Sequence, residues 1–248
     1  MTRARAVVWS LAAMTFILGA CSASEQTLPD LDPATTTGLP VTSSTTEPVA
    51  PCPTAAESSS EAYSVASVDV DGDGIADTIA TEFKDDGWFL IVEYGRGGTS
   101  ELGLIDADPG GSVRVLGGAD FMADGREDVA LVVGGGAYTQ SIGFARSRDC
   151  ELTRLVFEDS TPATFLVGSS VANFSGILCS FAPTSPPSVE QYFFSLVDGA
   201  ADEFSFAGSF APYELNGGVF VAGPGDETVL SAEELQRIGV FDCGDLSL

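Results

Sequence analysis

Asp69-Val70-Asp71-Gly72-Asp73-Gly74-Ile75-Ala76-Asp77 is followed at once by the apolar Thr78-Ile79-Ala80, and the same pattern returns later in the chain. The second copy is Asp120-Phe121-Met122-Ala123-Asp124-Gly125-Arg126-Glu127-Asp128, before Val129-Ala130-Leu131. Gly74 and Gly125 are 125 − 74 = 51 residues apart. A further step of 51 reaches Gly176, in the stretch 171–179 that keeps polar Asn173 and Ser175, and a fainter trace is 214–218. Self-similarity at a fixed period indicates a repeat architecture.

Short apolar or alternating runs, separated by Gly and Asp turns, continue on both sides of these copies. Such a pattern predicts many short strands. We therefore expect an all-β fold, a propeller-like array of about four antiparallel units of ~51 residues, with a β-sandwich as the alternative. One helix is predicted near the C-terminus. Ser231 and Glu234 form a capping box that should start a short helix ending at about Ile238.

The first copy has the pattern D-x-D-x-D-G-x-x-D, which suits a hard cation. Ca²⁺ takes several oxygen ligands at about 2.3–2.6 Å, and acids at alternating loop positions can turn towards one ion. The candidate ligands are the carboxylates of Asp69, Asp71, Asp73 and Asp77 and the carbonyl of Ile75. An acidic turn without metal is the alternative, because Asp and Gly are ordinary turn formers.

The second copy keeps only part of this ligand set. Asp120, Asp124 and Asp128 remain, but Met122 stands at the third position. We expect an ordinary turn there, with a second metal site as the alternative. The third copy has lost its aspartates, so it should bind no metal.

These loops resemble those of FG-GAP and VCBS repeats, including the repeats of integrin α-subunit propellers. An EF-hand matches less well, because Ala80 stands at the twelfth position in place of Glu. The resemblance implies that each loop joins two strands of a propeller blade. It also implies that calcium at Asp69–Asp77 is structural, and that the domain belongs to a class common in adhesion and ligand binding.

The N-terminus carries an export signal. Arg3 and Arg5 precede an apolar run, residues 6–18, that is too short to span a bilayer comfortably. Leu18-Gly19-Ala20-Cys21 resembles the lipobox of bacterial lipoproteins. That resemblance implies cleavage before Cys21 and attachment of lipid, with palmitate-type acyl chains, to its thiol. An ordinary secretory signal is the alternative. We expect residues 1–20 to be a signal peptide and the protein to be anchored on the extracytoplasmic face of a cell membrane.

The remaining organisation follows from composition. Residues 21–60 are rich in Ser, Thr and Pro and should form a disordered tether, and residues 61–248 should form the β-repeat domain. Four cysteines remain beside Cys21, an even number that predicts two disulfides in an exported protein. They allow three pairings, of which we favour Cys52 with Cys150 and Cys179 with Cys243.

Composition also excludes several functions. The chain has no histidine, and Lys84 is its one lysine, so neither a Ser-His-Asp triad nor a histidine-bound zinc site can form. The net charge of −26 excludes nucleic-acid binding through basic patches. We therefore expect a non-catalytic, calcium-stabilised binding or adhesion module with a protein or glycan ligand. The alternatives are a glycan-active enzyme that uses paired carboxylates and a purely structural envelope protein.

Overall fold

A computed structural model describes residues 52–53, 62–180, 186–200, 203–244, 246 and 248. This part of the chain contains sixteen strands and one helix, so the fold is all-β, as predicted. The predicted signal peptide, Cys21 and most of the predicted tether lie outside the described residues.

The first four strands form a separate antiparallel sheet in which each strand pairs with the next along the chain. We call it the first sheet. Its strands are β1 (Ser64–Val68), β2 (Asp77–Lys84), β3 (Gly87–Glu93) and β4 (Thr99–Gly103). The first loop, defined as Asp69–Asp77, leads from β1 into the first residue of β2.

The next four strands repeat this order. They are β5 (Arg114–Ala119), β6 (Asp128–Gly135), β7 (Thr139–Arg148) and β8 (Glu151–Arg154), paired as an antiparallel meander. β5 begins 114 − 64 = 50 residues after β1. The second loop, defined as Asp120–Asp128, again leads from the first strand into the second. The internal repeat is therefore real for these two units.

The later strands depart from the repeat. They are β9 (Val156–Phe157), β10 (Thr164–Ser169), β11 (Asn173–Ser180), β12 (Ser188–Ala200), β13 (Glu203–Asn216), β14 (Val219–Ala222), β15 (Asp226–Ser231) and β16 (Phe241–Asp242). They join the second meander in one twelve-stranded sheet, with the order β5-β6-β7-β10-β11-β12-β13-β14-β9 and with β8, β15 and β16 attached to β7, β13 and β11. The described strands thus form two sheets, and only the first two predicted units share one loop design.

The prediction of a third loop around Gly176 is wrong. Gly176 lies within β11, and only residues 170–172 connect β10 to β11. A side chain at Gly176 would clash with the hydroxyl of Tyr192 and the carbonyl of Val240. The glycine is needed for close packing in a strand, so the 51-residue spacing does not lead to a third loop here. The fourth trace ends in a tight turn, where Gly217 and Gly218 have positive φ angles between β13 and β14.

β6 is the central element of the core. Val129, Leu131 and Val133 pack with the first sheet, whereas Ala130 and Val132 pack with β7, β10 and β11 on the other face. Burial on both faces explains the unbroken apolar run after Asp128. Because β6 packs against the first sheet, its starting residue Asp128 and the second loop come close to the first loop.

The helix and the disulfides follow the sequence-based predictions. Helix α1 spans Ala232–Ile238, with Ser231 as N-cap and a reciprocal capping box to Glu234. The favoured cysteine pairing is the one present: Cys52 is bonded to Cys150 and Cys179 to Cys243.

Candidate metal centre

The Asp69 carboxylate organises the backbone of the first loop. Its Oδ1 accepts hydrogen bonds from the N–H groups of Gly72 (2.9 Å) and Asp73 (3.1 Å), and its Oδ2 accepts one from Gly74 (2.9 Å). Gly72 and Gly74 have φ angles of 74° and 82°, in the left-handed region that glycine adopts without steric cost. Local sequence therefore determines the course of this loop.

Asp77 closes the loop from the buried side. It is the first residue of β2 and only 1% exposed. Its Oδ2 accepts from the Val70 N–H (2.9 Å) and its Oδ1 from the Gly95 N–H (2.8 Å). Burial raises the pKa of Asp77, these two hydrogen bonds oppose the shift, and the nearby carboxylates of Asp69 and Asp73 add to it.

Three carboxylates converge at this position. Asp69, Asp71 and Asp77 each offer an oxygen, and these oxygens lie within 4.8 Å of one another. Within the described ranges, no other group of three or more acids, cysteines or histidines meets this condition. Two ligands of one Ca²⁺, each about 2.3–2.6 Å from the ion, are at most about 5 Å apart. The spacing and the all-oxygen donor set therefore fit calcium.

Electrostatics at Asp71 point in the same direction. Burial raises the pKa of Asp71, a hydrogen bond from the Asp73 backbone opposes the shift, and the charges of Asp77, Asp73 and Asp69 add to it. Like charges in one site disfavour ionisation, and a nearby positive charge reverses the effect. A bound cation would allow all of these carboxylates to ionise together.

Asp73, predicted as a fourth carboxylate ligand, has other partners. Its Oδ2 forms an ion pair with Nε of Arg96, and its Oδ1 accepts a hydrogen bond from the Ile75 N–H at 2.7 Å. Arg96 lies in the turn between β3 and β4, 23 residues away along the chain. Ile75 is 45% exposed, and its carbonyl stays a predicted ligand. The converging set thus has three of the four predicted carboxylates, and the sequence carried no signal for Arg96.

The second loop has the same backbone hydrogen bonds to its first aspartate, but an arginine lies beside its other carboxylates. Asp120 accepts hydrogen bonds from the N–H groups of Asp124 (3.0 Å) and Gly125 (2.9 Å), as Asp69 does in the first loop. Arg146 lies 3.4 Å from both Asp124 Oδ2 and Asp128 Oδ1. Burial raises the pKa of Asp128 to about 7, against the opposing effect of Arg146. Sequence analysis missed Arg146, which lies in β7.

The two loops are bonded to each other. The Asp69 N–H donates to Glu127 Oε2 (2.7 Å), and the Glu127 N–H donates to the Asp69 carbonyl (2.9 Å). The side chain of Arg126 lies directly against Gly72, where a Cβ would approach its Cγ to 2.8 Å. The first loop is therefore held in place by the second.

No family model, curated protein or solved structure gives a significant match to this chain. Among the described residues, no helix has the length and apolar character needed to cross a membrane. The lipobox and the repeat family accordingly stay predictions that rest on the sequence motifs.

Proposed function

We propose that this protein is a lipid-anchored extracytoplasmic lipoprotein whose β domain is a non-catalytic binding or adhesion module stabilised by calcium. One observation carries the proposal: the oxygens of Asp69, Asp71 and Asp77 converge within 4.8 Å in a loop that joins two strands. In this proposal the three carboxylates hold Ca²⁺, and the ion's role is structural.

Folding brings these negative charges together, and a bound cation would offset their mutual repulsion. Asp77 is buried and Asp71 is partly buried, and both are close to Asp69. Ligand binding to the native state alone would stabilise the fold. Extracellular calcium modules commonly bind at about 10⁻⁴–10⁻³ M, and we propose an affinity in that range.

The proposed location rests on Cys21 and on the disulfides. Leu18-Gly19-Ala20-Cys21 supplies the lipid attachment point, and two acyl chains anchor a protein stably where one does not. Disulfides form and persist mainly in oxidising compartments outside the cytosol, so the bonded pairs of Cys52 and Cys179 support export.

The proposed family is that of FG-GAP and VCBS repeats. Two successive antiparallel meanders, each with an aspartate loop between its first and second strands, support this assignment and a propeller-like relation between the two units. A binding role is supported by an exposed depression on β12, β13 and β15, where Phe193 and Val229 are 51% and 61% exposed. Both side chains line this depression, and exposed apolar patches on a protein surface often mark interaction sites.

Calcium titration calorimetry tests the metal site. We expect the chain from Ser22 onward, in metal-free buffer, to bind one Ca²⁺. Asp71→Asn should abolish this binding, and Asp85→Asn should leave it unchanged, because Asp85 is an exposed acid in the turn between β2 and β3. Heat of binding that is equal in the wild type and Asp71→Asn would refute the assignment.

Cell fractionation tests the anchor separately. The full chain expressed in a bacterial host should be found with the membranes, and Cys21→Ser should release it into the soluble fraction. Membrane association that survives Cys21→Ser would exclude lipid on Cys21 as the anchor.

A further inference from the structure

Arg146 has an environment that is unusual for an arginine. Its side chain is 7% exposed, and it lies between Asp124 and Asp128, 3.4 Å from an oxygen of each. Its Nε and Nη1 have no hydrogen-bond partner among the described residues, and neither does Oδ2 of Asp128, which is itself 3% exposed. Buried charges are normally paired and hydrogen-bonded. Here the guanidinium donates one long hydrogen bond to the loop, from Nη2 to Asp124 Oδ2 (3.4 Å), and its charge faces both carboxylates.

The first loop has a different residue at the matching position. Thr78, just after the last aspartate of the first loop, pairs with Glu93, and the matching Val129 of the second loop pairs with Ala145. The next residue is therefore Tyr94 in the first unit and Arg146 in the second. The Tyr94 hydroxyl hydrogen-bonds to Ser147 and Ser100, at 2.7 and 3.2 Å, and so lies away from the first loop.

The two loops thus differ in their carboxylates and in the residue that follows the paired strand position. The first loop has three converging carboxylates and an uncharged Tyr94 at this position. The second has Met122 in place of one carboxylate and the cation of Arg146 among those that remain. Arg96 forms an ion pair with Asp73 of the first loop, and Asp73 is outside the converging group.

We propose that the guanidinium of Arg146 is the built-in cation of the second loop and takes the place of a metal ion there. The second loop is then closed at every calcium concentration. Through the reciprocal bonds between Asp69 and Glu127, it gives the metal-dependent first loop a fixed support. This inference rests on the proposed function, because it assumes that both loops are built to bind a cation.

Asp120, Asp124 and Asp128 do not converge within 4.8 Å while the guanidinium lies beside them, and removal of Arg146 should let them draw together on a second calcium ion. The test is calcium titration of the chain from Ser22 onward, at pH 8, for Arg146→Gln and Arg146→Ala, each alone and combined with Asp71→Asn. We expect one Ca²⁺ for the wild type, none for Asp71→Asn, one for the combined variants and two for the single Arg146 variants. Arg148→Gln, an exposed arginine on the same strand, is the control and should leave the count at one.

The outcomes separate this inference from the proposed function. If the wild type binds no calcium and Arg146→Gln binds one ion, the first site is refuted and the Arg146 proposal is supported. Folded Arg146→Gln that gains no calcium up to 10 mM, about tenfold above the weak end of the usual range, would overturn the proposal. An Arg146→Gln variant that stays unfolded with calcium present would also overturn it, since a fitting cation should restore the loop.

Discussion

Chelation of calcium should lower the unfolding temperature of this protein by an amount that the first loop allows us to work out. Three carboxylates within 4.8 Å form one site, and the usual range for such modules is about 10⁻⁴–10⁻³ M. At 10 mM free Ca²⁺, the relation RT ln(1 + [L]/Kd) gives about 1.4 to 2.7 kcal/mol. For a domain of this size each kcal/mol changes the unfolding temperature by about 2–4 °C. We therefore expect a fall of about 3–11 °C when calcium is removed.

The assay is thermal unfolding followed by circular dichroism, with the disulfides intact, in 10 mM CaCl₂ and in EDTA at matched ionic strength. Matching matters because a chain of net charge −26 is stabilised by any salt that screens its charges. Asp71→Asn should lose the calcium-dependent shift, and Asp85→Asn should keep it. An equal shift in the wild type and Asp71→Asn would show that calcium acts on the acidic surface as a whole, and the reasoning from the first loop would fail.

The pKa of Asp128 is about 7 in the native state against about 3.8 unfolded, so between these pH values the native state holds one proton more. The resulting contribution of about 4 kcal/mol to the free energy of unfolding is present below pH 4 and is lost as pH rises to 7. Asp128→Asn should remove this pH dependence from urea unfolding measured between pH 4 and 8. Replacing Cys179 and Cys243 by alanine removes a disulfide between residues 64 positions apart and should lower the free energy of unfolding by about 4 kcal/mol in the same assay. An unchanged free energy would contradict the chain-entropy argument. Ser231→Ala removes the N-cap of α1 and should cost about 1 kcal/mol in unfolding free energy, with Ser231→Asp close to the wild type.

The features that the sequence predicted correctly depend on neighbouring residues. The first loop is shaped by hydrogen bonds from Asp69 to residues three to five positions ahead, and the cap of α1 by a pair three residues apart. Such contacts are encoded by spacing alone. The all-β class followed from alternation. The number of disulfides followed from the even cysteine count, whereas their pairing joins residues 98 and 64 positions apart and was a choice among three.

The features that the sequence missed are contacts between distant residues. Arg96 reaches Asp73 across 23 residues, and Arg146 reaches Asp124 across 22. Glu127 meets Asp69 across 58. Which arginine meets which aspartate depends on strand register, and a single sequence does not reveal register across a sheet. The 51-residue step failed at Gly176 for a related reason, since a glycine can be required by packing in a strand as well as by a turn.

The contrast between the two loops has a consequence for how this protein would respond to its surroundings. Arg146 is covalently part of the chain, so the cation of the second loop cannot dissociate, whereas the cation proposed for the first loop leaves when calcium falls. The bonds between Asp69 and Glu127 lie where the two loops meet. Loss of calcium should therefore loosen Asp69–Asp77 and the adjoining turn at Gly95, which donates to Asp77, while Asp120–Asp128 keeps its structure. If Arg146 takes the place of a metal ion as proposed, calcium sensitivity is confined to the first of the two adjacent loops.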